Sequence, residues 1–247
     1  MDAPLISIIT ITFNAEKELG PTMKSVAQQS WRDFEHVVVD GASTDHTVDV
    51  ARQLGGRAVR IVSEPDNGLY DAMNKGLALA RGKYVIFLNA GDCFANSEIL
   101  GMYAAATVNE ADIVYSDTVI VDADRRVKGP RHLSVPEELT VDSFADGMLV
   151  CHQAFMVKRS IAPEYNLDYR FSADYDWTIR CIRKTIPERC RNLHVVGIHY
   201  LDDGMTEKNK RASLRERFEI MKKHFGLART LKKHLSFIPR AVGRHLP

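Results

Sequence analysis

Along the first 115 residues, short unbroken apolar runs alternate with longer stretches of helical period. Residues 5–12 (LISIITIT) predict a strand buried on both faces, since strands covered by helices on each side read as continuous apolar runs. Residues 16–30 carry Leu19, Met23, Val26 and Ala27 at helical spacing. Residues 34–39 predict a second strand ending at Asp40, and Ser43, Thr44 or Asp45 supplies a cap for a helix over 48–54. A strand at 59–62, a turn at Asp66-Asn67-Gly68 and a helix over 69–80 closed by Gly82 follow. The run 84–92 (YVIFLNAGD) is the fourth strand, leading to a helix over 97–108 and a strand at 112–115. This alternation predicts an α/β fold with a mainly parallel sheet flanked by helices on both faces.

Beyond residue 115 the pattern loosens. A strand pair within 118–127 turns at Asp122-Ala123-Asp124, and His152 sits among Val150, Cys151, Ala154 and Phe155 on a partly buried strand. A helix over 173–184, a strand over 193–200 and terminal helices over 211–225 and 228–235 complete the reading. The chain divides into a body, 1–206, with halves 1–115 and 116–206, and a helical tail, 207–247.

Composition narrows the class. With 45% hydrophobic and 26% charged residues, the 247-residue chain is that of a soluble globular protein. Cys93, Cys151, Cys181 and Cys190 show no CxxC spacing, which argues against a zinc site or disulfide scaffold and fits a reducing, cytoplasmic compartment. No signal peptide and no membrane-spanning run are expected. Charge is uneven: the tail holds 12 Lys/Arg against 3 Asp/Glu, leaving 21 against 29 in the body. A basic tail on an acidic body expects an anionic partner, and no nucleic-acid motif accompanies it.

Polar groups gather at three strand ends, 12–14, 40–45 and 89–92, where open α/β sheets bind ligands. Asp92, beside Gly91, can hold a divalent cation against a phosphate, or simply cap the next helix. Acidic or amide groups at three strand ends favour a nucleotide site with a metal. There is no GxGxxG and no GxxxxGK[ST], so neither a dinucleotide fingerprint nor a P-loop holds the phosphates.

Six ordered motifs carry a family resemblance: SIITITFN (7–14), VVVDGASTDHT (37–47), EPDNGLYDAMNKG (64–76), YVIFLNAGD (84–92), CHQAFMVKR (151–159) and ADYDW (173–177). Together they resemble a family 2 glycosyltransferase of the GT-A fold, of the kind that builds bacterial surface polysaccharides, lipopolysaccharides and glycolipids. The resemblance implies an inverting, metal-dependent hexosyltransferase with a nucleotide-binding half (1–115) and an acceptor half (116–206). It implies a UDP-, GDP- or dTDP-sugar donor and a glycan or polyprenyl/lipid-linked acceptor. Thr10, Thr12 and Asn14 would open onto the nucleobase, and Asp40 would read its edge. Asp92 matches the last acid of the DxD-type motif that holds Mn²⁺ or Mg²⁺, with Asn89 and Gly91 where further acids are frequent. Met73 replaces an Arg common before Asn74, so Asp71 and Asn74 would serve the donor, or Asn74 only fastens its helix. His152 and Gln153 fall near the donor sugar, and His199 where some relatives add a metal or phosphate ligand. Asp174 matches the catalytic base, with Ala173 in place of a usual Glu. Asp176 is held in reserve for that role, against a solvated or cap contact. Trp177 would floor the acceptor site, or belong to the core.

The loop 202–206, followed by Lys208, Lys210 and Arg211, would close over the diphosphate as a lid, or begin an exposed basic helix. In the tail, Lys222, Lys223, Arg229, Lys232, Lys233, Arg240 and Arg244 interleave with Phe218, Met221, Phe225, Leu231, Leu235, Phe237 and Ile238. This predicts either an amphipathic anchor, peripheral on an anionic membrane at its cytoplasmic face, or helices packed on the body. A nucleotidyltransferase of similar fold, attacking phosphorus, and a non-catalytic nucleotide-sugar-binding protein are the alternative functions.

Overall fold

The computed structural model describes residues 3–56, 58–202 and 209–242. Among these residues nine strands form one sheet: β1 (Ile6–Thr12), β2 (Phe34–Asp40), β3 (Val59–Ser63), β4 (Tyr84–Phe87), β5 (Cys93–Phe94), β6 (Ile113–Val121), β7 (Val127–Pro130), β8 (Phe155–Lys158) and β9 (Cys190–Leu201). The helices are α1 (Leu19–Ala27), α2 (Thr47–Leu54), α3 (Leu69–Leu79), α4 (Ile99–Ala105), α5 (Ala173–Ile182), α6 (Lys210–Phe225) and α7 (Leu227–Val242). Strand order is β3-β2-β1-β4-β8-β6-β9-β5, with β7 beside β6.

All seven residues of β1 are buried, and the strand pairs in parallel with β2 on one side and β4 on the other. Their carboxyl ends therefore share one edge. Alternation along β2 sorts its valines between two layers. Val38 joins Leu19, Met23 and Ala51 beneath α1 and α2, whereas Val37 and Val39 join Met73 of α3 on the opposite face. Gly76 lets α3 lie close to the sheet, since a Cβ there would stand 2.5 Å from Ile9 Cγ2. At the far edge Glu35 accepts from Ser7 Oγ (2.7 Å), Arg81 N (2.6 Å) and Arg81 Nε (2.9 Å). Burial alone would raise the Glu35 carboxyl, but the Ser7 and Arg81 contacts outweigh it and hold it below the usual range.

The second half departs from a simple parallel alternation. The strand expected at 112–115 runs on to Val121 and turns at 122–125 into β7, so the expected strand pair forms as a hairpin. β8 enters antiparallel between β4 and β6, while β9 pairs parallel to β6. His152 lies not on a strand but in a 3₁₀ turn, His152–Ala154, that delivers the chain into β8. At the start of α2, Asp45, one residue before the N-cap His46, accepts from Thr47 N at 3.0 Å through its Oδ1.

The terminal helices pack on the body. Ile220 and Met221 are buried, and Glu216 accepts from the backbone N–H groups of Arg170 and Phe171, each at 2.8 Å. Arg229 and Lys233 pair with Asp142 and Asp146. The expected lid (203–206, with Lys208) and Arg244 lie outside the described residues, as do the side chains of Lys210 and of residues beyond Leu235. No helix among the described residues is long and apolar enough to cross a membrane.

One buried pair ties the central strands together. Thr10 Oγ1 bonds His36 Nε2 at 2.8 Å and donates to Leu88 O at 2.7 Å. Burial lowers His36 to about 4, so folding favours its neutral form. That contribution is complete above the unfolded value near 6.5 and is lost as pH falls towards 4. The stability advantage of the parent over His36→Gln should therefore shrink by about 2 kcal/mol between pH 7 and pH 5. Urea titrations at the two pH values check this, and a constant difference would contradict it.

Candidate active site

The shared strand edge opens into a cleft of about 640 Å³. β1 contributes Thr12 and the loop residues Phe13 and Asn14 that follow it. The turn after β4 supplies Asn89 and Asp92, the 3₁₀ turn supplies His152 and Gln153, and the start of α5 supplies Asp174. Tertiary structure thus collects seven of the residues singled out in the sequence, from segments up to 162 positions apart (Thr12 to Asp174), in the lining of one cleft.

The 89–92 turn is tightly built. Asp92 N donates to Asn89 O at 3.0 Å, and Gly91, at φ 100°, donates from its N–H to Thr22 Oγ1 at 3.0 Å. A Cβ on Gly91 would meet Leu201 Cδ2 at 2.9 Å. Behind the turn, Arg125 donates to Gly91 O from the β6–β7 hairpin. The Asp92 carboxyl accepts from Leu201 N at 3.0 Å. Burial pushes it up to about 7, against the opposing pull of the Leu201 N–H, the Arg125 charge and Gln153. Asn89 Oδ1 and Thr12 Oγ1 are buried without a hydrogen-bond partner among the described residues. Such atoms are costly unless something bound in the cleft completes them.

Several sequence candidates lie elsewhere. Thr10 is inside the sheet, engaged with His36 and Leu88, rather than on the cleft. Asp40 is buried behind the cleft wall, where it accepts from Ser43 N (2.9 Å), Ser43 Oγ (2.5 Å) and Ser63 Oγ (2.7 Å). Asp71 closes the turn before α3 by accepting from Asn67 N at 2.9 Å. Asn74 clasps Tyr165, donating to its carbonyl (3.1 Å) and accepting from its N–H (2.7 Å), which is the fastening role. His199 sits on β9 opposite Cys93, outside the cleft lining, and is lowered by burial and by the Arg125 charge. Asp176 is fully buried away from the cleft, bonded to Arg180 Nε (2.6 Å) and His224 Nε2 (2.8 Å). Burial would raise it, but these partners and Lys223 bring it to about 2, the signature of a structural ion pair. Trp177 is core, stacked on Tyr165 at 4.9 Å.

Sequence reasoning passed over Phe13, Asp66, Tyr70 and Arg170, which all line the cleft. Phe13 is 63% exposed, a large aromatic held out of the core beside the strand end. That exposure is visible only in the fold, because in sequence Phe13 continues an apolar run. Tyr70 was hidden in an amphipathic helix, and its hydroxyl donates to Asp174 Oδ1 at 3.1 Å. Beneath it, burial keeps His152 neutral, lowered to about 4, with Nε2 bonded to Tyr165 Oη at 2.6 Å.

The charge lining the cleft is unbalanced. Glu18, Asp66, Asp92 and Asp174 face it, against the single cation Arg170 among the described residues. No three His, Cys, Asp or Glu side chains converge on one point among those residues. The donors nevertheless suit a hard cation that completes its shell from a bound ligand and water: a desolvated carboxylate at Asp92 and an unpartnered amide oxygen at Asn89, in one turn.

Residues 7–165 match the family model for glycosyl transferase family 2. The chain is 37% identical over 214 residues to a PGL/p-HBAD biosynthesis glycosyltransferase of Mycobacterium bovis, covering 83% of this chain and 79% of the relative. Among solved structures it is similar to Staphylococcus aureus TarS 1-349 in complex with UDP-GlcNAc, with TM-score 0.72 at 20% identity over 94% of this chain and 73% of that one. The longer TarS chain is matched over 39% of its length. Glucosyl-3-phosphoglycerate synthase from Mycobacterium tuberculosis, in complex with Mn²⁺, UDP and glucosyl-3-phosphoglycerate, aligns with TM-score 0.64 at 16% identity, over 91% and 81% of the two chains. These likenesses give the fold as GT-A.

Proposed function

The chain belongs to glycosyl transferase family 2, and from that premise we propose that it is an inverting, metal-dependent glycosyltransferase acting from a nucleotide-sugar donor on a hydroxyl of a glycan or lipid-linked acceptor. The observation that carries this reading is the cleft itself. Its lining joins an exposed aromatic, a buried carboxylate at Asp92 and a second carboxylate, Asp174.

In this reading the Phe13 face stacks on the nucleobase, which any base accepts. Asp66 and Asn14 stand beside it on the cleft rim, and Asp40 stiffens the loop behind them through Ser43. Asp92 and Asn89 would hold Mn²⁺ or Mg²⁺. That ion, when bound, supplies the positive charge that a diphosphate needs among four carboxyl groups, and so stabilises its departure. Arg170 adds the cleft's own cation. His152, kept neutral by burial, and Gln153 orient the donor sugar.

Asp174 takes the acceptor proton. As the acceptor oxygen bonds to the anomeric carbon, the bond from that carbon to the diphosphate oxygen breaks. Its electron pair leaves on the diphosphate, and single displacement inverts the centre. The likeness to a relative named a PGL/p-HBAD biosynthesis glycosyltransferase supports an acceptor of the glycan or lipid-linked class. We also propose a cytoplasmic enzyme that meets its acceptor at an anionic membrane. Leu227, Leu231 and Leu235 lie one helical turn apart on α7, 52%, 48% and 68% exposed, with Lys232 exposed beside them.

Asp174→Asn should reduce transfer by about 10³-fold or more while donor binding by thermal shift stays intact, and a fully active variant would remove the base from the scheme. Asp92→Asn should abolish the Mn²⁺-dependent part of the donor-induced thermal shift and spare the metal-free part. An equal shift with and without Mn²⁺ in the parent would exclude the ion. For the tail, Leu231→Asp with Leu235→Asp should weaken binding to vesicles rich in phosphatidylglycerol by about tenfold or more. Parental binding that ignores lipid charge would rule the anchor out.

A further inference from the structure

The catalytic reading leaves Tyr70 without a role, although it is the side chain that touches Asp174. We propose that Tyr70 is the positioning residue of the acceptor-activating carboxylate, holding Asp174 Oδ1 so that Oδ2 faces the incoming acceptor hydroxyl; this rests on Asp174 being the base.

The contact is specific. Tyr70 lies in the first turn of α3, lines the cleft and is 6% exposed. Its hydroxyl donates to Asp174 Oδ1 at 3.1 Å across 104 positions of sequence. Among the described residues no other hydrogen bond is made to that carboxylate, and Asp174 itself lines the cleft. Burial and the Asp174 charge keep the Tyr70 phenol protonated, so towards the carboxylate it serves as a donor.

Both partners are fixed from behind, as positioning requires. The Tyr70 ring stacks on Tyr165 at 5.7 Å, and Tyr165 stacks on Trp177 of α5 at 4.9 Å. Tyr165 is pinned at its hydroxyl by His152 and at both backbone polar groups by Asn74, one helical turn beyond Tyr70 on α3. On the other side, Thr178 Oγ1 donates to Asp174 O at 2.8 Å, and Glu216 of α6 clamps the chain just before α5. A half-buried carboxylate lining a cleft would otherwise rotate about its side-chain bonds. With one oxygen tethered, that rotation is restricted. The ring alone would serve equally well as core packing, so the hydroxyl carries the distinction.

The test is a double-mutant cycle with Tyr70→Phe and Asp174→Asn, read by single-turnover transfer and steady-state kinetics. Tyr70→Phe keeps the ring stack, so its thermal midpoint and donor KM should match the parent. Its kcat should fall about tenfold or more, the effect of losing one hydrogen bond to a charged group. In the Asp174→Asn background the same change should have no further effect, because it acts through the carboxylate. A parental kcat in Tyr70→Phe, or an undiminished fold-loss in the Asp174→Asn background, would overturn the proposal and leave the base standing. A fully active Asp174→Asn would overturn the base itself, and the positioning role with it.

Discussion

A strand buried on both faces can present polar side chains to a ligand only at or beyond its ends, and β1 is such a strand. Its parallel pairing with β2 and β4 aligns three carboxyl ends on one edge of the sheet. The register brings Thr12 level with Asp40, and the turn after β4 follows beside them. Thr10 bonds to both neighbours through its one hydroxyl. Everything the cleft does depends on that alignment, because the loops leaving these strands make one wall.

The second theme is uncompensated burial. A carboxyl group as deeply buried as Asp92 has lost most of its hydration, and the Leu201 N–H, the Arg125 charge and Gln153 offset only part of that cost. The same turn leaves an amide oxygen without a partner. Natural folds tolerate such costs chiefly at functional sites, where a bound group completes them. Asp176 is the contrast on the same chain. It is more deeply buried than Asp174, but Arg180, His224 and Lys223 surround it, so it is satisfied and structural.

The acceptor side is assembled from parts far apart in sequence. α3, the 3₁₀ turn before β8 and α5 meet around one aromatic stack, and α6 packs on α5. α6 has two duties here: Glu216 holds the chain entering α5, and His224 hydrogen-bonds Asp176 within it. The basic charge of the tail is thus partly used inside the protein, against acidic residues of the body. The apolar stripe of α7 remains on the outside.

Much of this was written in the sequence. Continuous apolar runs marked β1, β2 and β4, helical spacing marked α1 and α3, and the order of motifs marked Asp92 and Asp174 before any coordinates. These signals are local, because a strand covered on both faces must be apolar throughout. The antiparallel β8 and the two-residue β5 were not marked in this way, because their pairing is set by distant strands. Likewise Asp40 and Asp176 are acids in motif positions whose partners are serines, an arginine and a histidine supplied by the fold. Sequence alone determined which segments would be buried and where polar groups would interrupt them. Only the tertiary structure decided which of those groups are already satisfied and which still face a ligand, since satisfaction depends on contacts such as Tyr70 to Asp174 that span 104 residues.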